Sequence, residues 1–115
     1  MPPFIYLDTE AAWRKVASEL SRESRFAVDL EANSLYAYRE RICLVQISTE
    51  TQDYILDPLA GFALPELGAL LADPAIEKVF HASEYDLLLL KREFNFDVCN
   101  LFDTMWAARI LGYTH

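Results

Sequence analysis

The sequence predicts an α/β fold: a mixed sheet that opens as an antiparallel meander, continues as βαβα, and is flanked by helices. Three observations carry this. Phe26 to Glu31 alternates apolar and polar with period two, Ile42 to Ile47 is nearly continuously apolar, and Tyr54-Ile55-Leu56 follows closely, so three strands with short links should form a meander. From Lys78 onward, strand-like and helix-like stretches alternate, the mark of βαβ units and parallel pairing. The length, 115 residues, is enough for one hydrophobic core and too short for two.

In chain order, Phe4-Ile5-Tyr6-Leu7 suits a short strand. Asp8 or Thr9 then caps a helix whose apolar positions Ala12, Trp13, Val16, Ala17 and Leu20 recur at helical spacing. The polar run Ser21 to Arg25 ends that helix. In the next strand Phe26, Val28 and Leu30 face one way and Ala27, Asp29 and Glu31 the other. A polar and aromatic loop, Ala32 to Glu40, leads to Ile42–Ile47, whose unbroken apolar character predicts burial on both faces, with Gln46 satisfied in a buried network. Tyr54–Leu56 closes at Asp57-Pro58. Leu64 to Ala72 is helical and stops at Asp73-Pro74, because the residue before a proline is driven out of the helical region. Lys78-Val79-Phe80 forms a strand, Ser83 to Phe94 a helix, Val98-Cys99 a short strand, and a last helix opens at Asp103 and runs to about Leu111. The first long strand should lie near the sheet's centre.

Composition excludes several classes of function. At 53% hydrophobic and 24% charged residues the chain should fold. Its three glycines, Gly61, Gly68 and Gly112, are isolated, so neither a phosphate-cradling loop nor a dinucleotide fingerprint exists. Cys43 and Cys99 belong to no paired motif and are expected as two buried, reduced thiols. No signal peptide or membrane span is recognisable, which makes a cytoplasmic location the expectation. With 18 acidic and 10 basic residues the net charge is −8, which taken alone argues against a polyanionic partner, unless some carboxylates hold cations that invert the local field.

The carboxylates are arranged for that exception. Asp29 and Glu31, at i and i+2, share a strand face at the strand's C-terminal end, where α/β sheets place ligands. Covered by helices, two like charges there are unfavourable without a cation between them; emerging into solvent, they need none. Asp86 lies in the first turn of the helix after Phe80, where Ser83 and Asp86 also have the spacing of a capping box. If the two strands are neighbours, three carboxylates converge on one rim. Asp103 has the place of an N-cap for the apolar stretch after it. His81 has no partner at metal-ligand spacing and reads as a strand-end hydrogen-bonding residue, and no arrangement for nucleophilic catalysis is present.

Four segments together resemble the ribonuclease D family of DEDD 3′-to-5′ exonucleases. They are Phe26-Ala27-Val28-Asp29-Leu30-Glu31, Cys43-Leu44-Val45-Gln46-Ile47-Ser48, the run from Lys78 to Asp86, and the run from Leu101 to Gly112. The resemblance covers essentially the whole chain and implies an RNase H-like fold. It assigns Asp29 and Glu31 to the metal ligands of the first exonuclease motif and Asp86 to that of the second. The third motif, Tyr-x-x-x-Asp, is expected beyond Leu111, and Tyr113 cannot supply it. Residues 1–115 are therefore expected to be one domain lacking its C-terminal part, with a fragment of this kind binding metal weakly and being inactive.

The implied chemistry is two-metal hydrolysis of a phosphodiester by a pair of Mg²⁺ or Mn²⁺ ions about 3.5–4 Å apart and bridged by Asp29, releasing nucleoside 5′-monophosphates. The expected partner is the 3′ end of single-stranded RNA, or of DNA, since metal motifs do not read the 2′-hydroxyl. Asn33, Tyr36 and Tyr38 in the loop after Glu31, with His81, are the expected contacts to the terminal nucleotide. A non-catalytic binding or assembly module is the alternative from another class. No membrane is implicated, and apolar surface left uncovered on such a piece predicts a homodimer.

Overall fold

The structure, a computed structural model, describes residues 3–33, 41–81 and 83–105. The expectations for Tyr36, Tyr38, Tyr113 and His115, and for the last helix beyond Met105, lie outside the described residues. Among those described, the chain runs β1 (Ile5–Leu7), α1 (Glu10–Leu20), β2 (Arg25–Asn33), β3 (Arg41–Ser48), β4 (Asp53–Leu56), α2 (Pro65–Ala72), β5 (Glu77–Phe80), α3 (Ser83–Phe94) and β6 (Leu101–Asp103). The six strands form one mixed sheet ordered β1-β4-β3-β2-β5-β6. β2, β3 and β4 make the antiparallel meander, while β1 pairs parallel with β4, β5 with β2, and β6 with β5. β2 thus lies inside the sheet, as a meander feeding into βαβα units implied.

Local signals account for most boundaries. Thr9 caps α1, its Oγ1 accepting the Ala12 N–H at 3.2 Å, and Trp13, Val16, Ala17 and Leu20 turn inward at i, i+3, i+4 and i+7. α2 opens with Pro65 in the first turn, where the missing N–H costs nothing, and ends at Asp73, held extended before Pro74. Trp13 Nε1 donates to Glu66 Oε1 at 3.0 Å, so the fully buried indole ties α1 to α2 while its polar atom stays satisfied. Gly68 admits the Phe96 ring: a Cβ there would lie 2.6 Å from Phe96 Cε1, and Phe96 in turn stacks on Phe94.

The two sheet faces differ. Phe26, Val28, Val45, Ile47, Tyr54, Leu56 and Phe80 are buried in the core with residues of α1, α2 and α3. Each fully buried Leu or Phe there contributes about 1.5–3 kcal/mol of transfer free energy. On the opposite face Ala27, Leu44, Gln46, Ser48, Ile55 and Val79 are only half-buried and Asp29 and Glu31 are exposed. β3 is therefore not buried on both faces, contrary to its apolar composition. Gln46, instead of sitting in a buried network, is half-buried and lines an open cleft.

Two further expectations are corrected. The sixth strand is Leu101–Asp103, not Val98-Cys99. α3 ends with Asn95 in the left-handed region and Phe96 N–H on the Leu90 carbonyl, and the chain turns again at Asn100, also left-handed. Between these turns Cys99 N–H bonds the Leu71 carbonyl of α2, so pairing with β5 waits until Leu101. The cysteines are free but not buried: Cys43 is half-buried on the open face and Cys99 exposed in that loop. Lys78 is the opposite surprise, a fully buried lysine whose Nζ donates to the Asp73 carbonyl and whose pKa burial lowers, although nearby Asp73 favours its charge.

Candidate active site

The open face of β2 carries Asp29 opposite Gln46 and Glu31 opposite Leu44. Immediately beyond Glu31 the ladder slips: Ala32 pairs with Ile42, leaving Cys43 as the extra residue of a bulge. The Cys43 thiol donates to the Glu31 carbonyl at 3.3 Å. The Ile42 N–H is accepted instead by both carboxylate oxygens of Glu93 from α3, at 3.0 and 2.8 Å, and Glu93 also pairs with Arg41 at 3.7 Å. The helix bearing the third candidate ligand is thereby fastened to β3, the antiparallel neighbour of the strand bearing the other two.

At its other end α3 is fastened by β6. Asp103 Oδ2 accepts both the Ser83 N–H and the Ser83 hydroxyl at 2.8 Å each, while its Oδ1 accepts the Met105 N–H at 2.9 Å. Ser83 is thus the first residue of α3, its hydroxyl engaged by Asp103, and the expected Ser83–Asp86 capping box is replaced by a cap from a neighbouring strand. Asp103 does serve the turn that follows it, but it serves α3 as well.

Asp86 is half-buried, and its carboxyl is pushed up to about 6 by burial and by the charges of Asp29 and Asp103. The carboxylates whose fields meet at Asp86 are therefore Asp29 and Asp103, with Glu31 one pleat further along β2. Among the described residues no three His, Cys, Asp or Glu side chains are gathered closely enough to enclose a metal ion. The donors nevertheless suit a hard divalent cation: they are carboxylate oxygens, and the repulsion that raises Asp86 is what a cation would relieve. Closing them on an ion requires side-chain rotation, which exposed Asp29 and Glu31 are free to make.

Beside Asp29 opens a cleft of about 420 Å³ lined by Gln46, Ser48, Val79, His81 and Thr104 among others, and a cavity of about 90 Å³ lies on the Glu31 side. Asp29 and Gln46 border both. His81, exposed, places Nδ1 2.8 Å from Thr104 Oγ1, and that hydroxyl donates to the Phe80 carbonyl at 3.3 Å. The ring is thereby held through Nδ1, with Nε2 on its other side. His81 is thus the strand-end hydrogen-bonding residue its sequence context implied. Asn33 is exposed at the last position of β2, opposite Arg41 and away from both cavities. Glu93 carried no sequence signal at all, and Asp103 signalled only a cap for its own helix.

Comparison with known proteins agrees with this architecture. Among relatives, protein RRP6-like 2 of Arabidopsis thaliana is 39% identical over 112 residues, 96% of this chain and 13% of the relative. Human exosome complex component 10 is 46% identical over 88 residues, 76% of this chain and 10% of the relative. The chain therefore spans only a small part of the curated relatives it matches. The catalytic core of RRP6 from Trypanosoma brucei superposes with a TM-score of 0.90 at 38% identity, covering 98% of this chain and 32% of that one. Escherichia coli RNase D superposes with a TM-score of 0.90 at 25% identity, covering 98% and 30%. Residues 4–115 match the 3′-5′ exonuclease family, and with its sheet order, its cleft and its carboxylates in place, the chain belongs to that family.

Proposed function

We propose that this chain is the metal-binding part of a 3′-to-5′ exoribonuclease that releases nucleoside 5′-monophosphates from RNA 3′ ends. The observation that carries the reading is that Asp29 borders an open cleft while its charge, after burial, helps push half-buried Asp86 up to about 6. RNA as substrate is favoured by the relatives: yeast RRP6 is an exosome complex exonuclease, and Escherichia coli RNase D is an exoribonuclease involved in structured RNA processing.

Asp29, Glu31 and Asp86 are the residues that would hold two divalent cations, Mg²⁺ or Mn²⁺. Such ions supply a nucleophilic hydroxide at neutral pH and charge stabilisation for the departing 3′-oxygen. The rest falls to the protein. Asp29, bordering both cavities, orients the carboxylate set. The cleft beside it receives the terminal nucleotide, and His81 offers it Nε2, the ring nitrogen that its bond to Thr104 does not use. Asn33 stands at the end of β2 to meet the strand further from the reacting bond.

The test is degradation of a 5′-labelled single-stranded RNA by the full-length protein in Mg²⁺ or Mn²⁺, beside the DNA oligonucleotide of the same sequence. A ladder shortened from the 3′ end with 5′-monophosphate products is expected. Asp29→Ala and Asp86→Ala should each slow it by more than about a hundredfold, since a lost metal ligand removes several kcal/mol of charge stabilisation. Variants as fast as the parent would overturn the metal-site assignment, and faster cleavage of the DNA would overturn the RNA preference.

A further inference from the structure

We propose that Asp103 is a positioning residue of this site: by capping α3 from the neighbouring strand, its carboxylate sets where Asp86 stands against Asp29. This rests on the reading of Asp86 as a metal ligand, and it adds a residue that the ligand set does not contain.

An N-cap ordinarily comes from the residue just before the helix, so it fixes the helix end to its own chain and to nothing else. Here the cap comes from a strand 20 residues away. Asp103 pairs with Phe80 in the parallel β5–β6 ladder, and β5 pairs with β2, the strand of Asp29. The first turn of α3 is thus referenced directly to the sheet that carries the other ligands. Ser83 and Asp86 are three residues apart and lie on one side of that turn, so a shift at Ser83 moves Asp86 with it. Ser83 is almost fully buried, which leaves its N–H and hydroxyl no water to turn to if Asp103 is lost.

The bonding also demands a carboxylate. One oxygen serves both Ser83 donors while the other serves the Met105 N–H, so both faces of the group must accept. Asparagine offers one acceptor oxygen and would turn its amide donors toward one of these N–H groups.

The experiment is Mn²⁺ binding, read from the electron paramagnetic resonance of the free ion, for the parent, Asp103→Asn, Ser83→Ala and Asp86→Ala. The metal-free melting temperature and the Mn²⁺ dependence of turnover are measured alongside. Asp103→Asn should weaken Mn²⁺ binding about tenfold or more, the range found when a residue that orients a metal ligand is changed. Ser83→Ala, which keeps the backbone donor, should weaken it less. Excess Mn²⁺ should restore turnover to both but not to Asp86→Ala. A lowered melting temperature with Mn²⁺ affinity equal to the parent's would make Asp103 merely structural and overturn the proposal. Should Asp103→Asn not fold, Ser83→Ala decides, and parental Mn²⁺ affinity there overturns it. Loss of binding in Asp86→Ala alone refutes Asp103's role and leaves the metal site standing, whereas a parent that binds no Mn²⁺ refutes both.

Discussion

Asp86 occupies a position where its own negative charge is unfavourable, and stability should register this. Its carboxyl moves from an ordinary 3.8 to about 6 on folding, because burial and the charges of Asp29 and Asp103 penalise the ionised form. The folded chain therefore binds this proton more tightly than the unfolded one. The stability that the protonated group confers is complete below about pH 4 and is lost as pH rises through about 6. Urea denaturation of metal-free protein at a series of pH values between these limits should show Asp86→Asn gaining on the parent as pH rises. Adding Mn²⁺ should then stabilise only the parent. At this scale the sequence was readable for identity and less so for partnership. Asp29 and Glu31 stood out because their spacing put two charges on one strand face, and Asp86 through the family resemblance, since its spacing to Ser83 alone signalled a cap. The bond from Asp103 to Ser83 did not, because it joins two segments through space and leaves no local pattern.

α3 is anchored at both ends, by Asp103 on Ser83 and by Glu93 on the Ile42 N–H, and the two anchors reach different strands. The Glu93 bond answers a need created by the bulge, which frees a backbone donor at a buried residue. Glu93→Ala should therefore cost about 1–3 kcal/mol in equilibrium urea unfolding, the penalty of a buried unsatisfied N–H, while Glu93→Gln, keeping one acceptor, should cost less. Most elements were legible from start and stop signals: Thr9 before α1, Pro65 and Pro74 around α2, Ser83 at α3. The bulge was not, since Cys43 fits an unbroken apolar run as well as its neighbours do. β6 was misplaced by three residues because the two asparagines that turn the chain, Asn95 and Asn100, adopt left-handed backbone that composition alone does not announce.

Over the whole molecule, the sheet divides the chain into a packed side and an open side, and adjacent residues of one strand sample both. Leu56, fully buried, and Ile55, half-buried beside the smaller cavity, make the comparison within β4. Leu56→Ala should cost about 2–5 kcal/mol, and Ile55→Ala markedly less, in denaturant midpoints measured side by side. The fold class and the central place of β2 were visible in the sequence because connection lengths and the switch from period two to helical period are global patterns. The openness of one face was not, since an apolar strand reads the same whether its second face is covered or bare. The net charge of −8 belongs to this scale too. It disfavours a polyanionic partner, so association with the RNA proposed as substrate should depend on cations held by Asp29, Glu31 and Asp86. The bulge, finally, equips the molecule with its own gauge. A maleimide should label exposed Cys99 faster than half-buried Cys43, whose thiol rests on the Glu31 carbonyl, so a rise in the Cys43 rate relative to Cys99 reads loosening of the β2–β3 ladder beside the site.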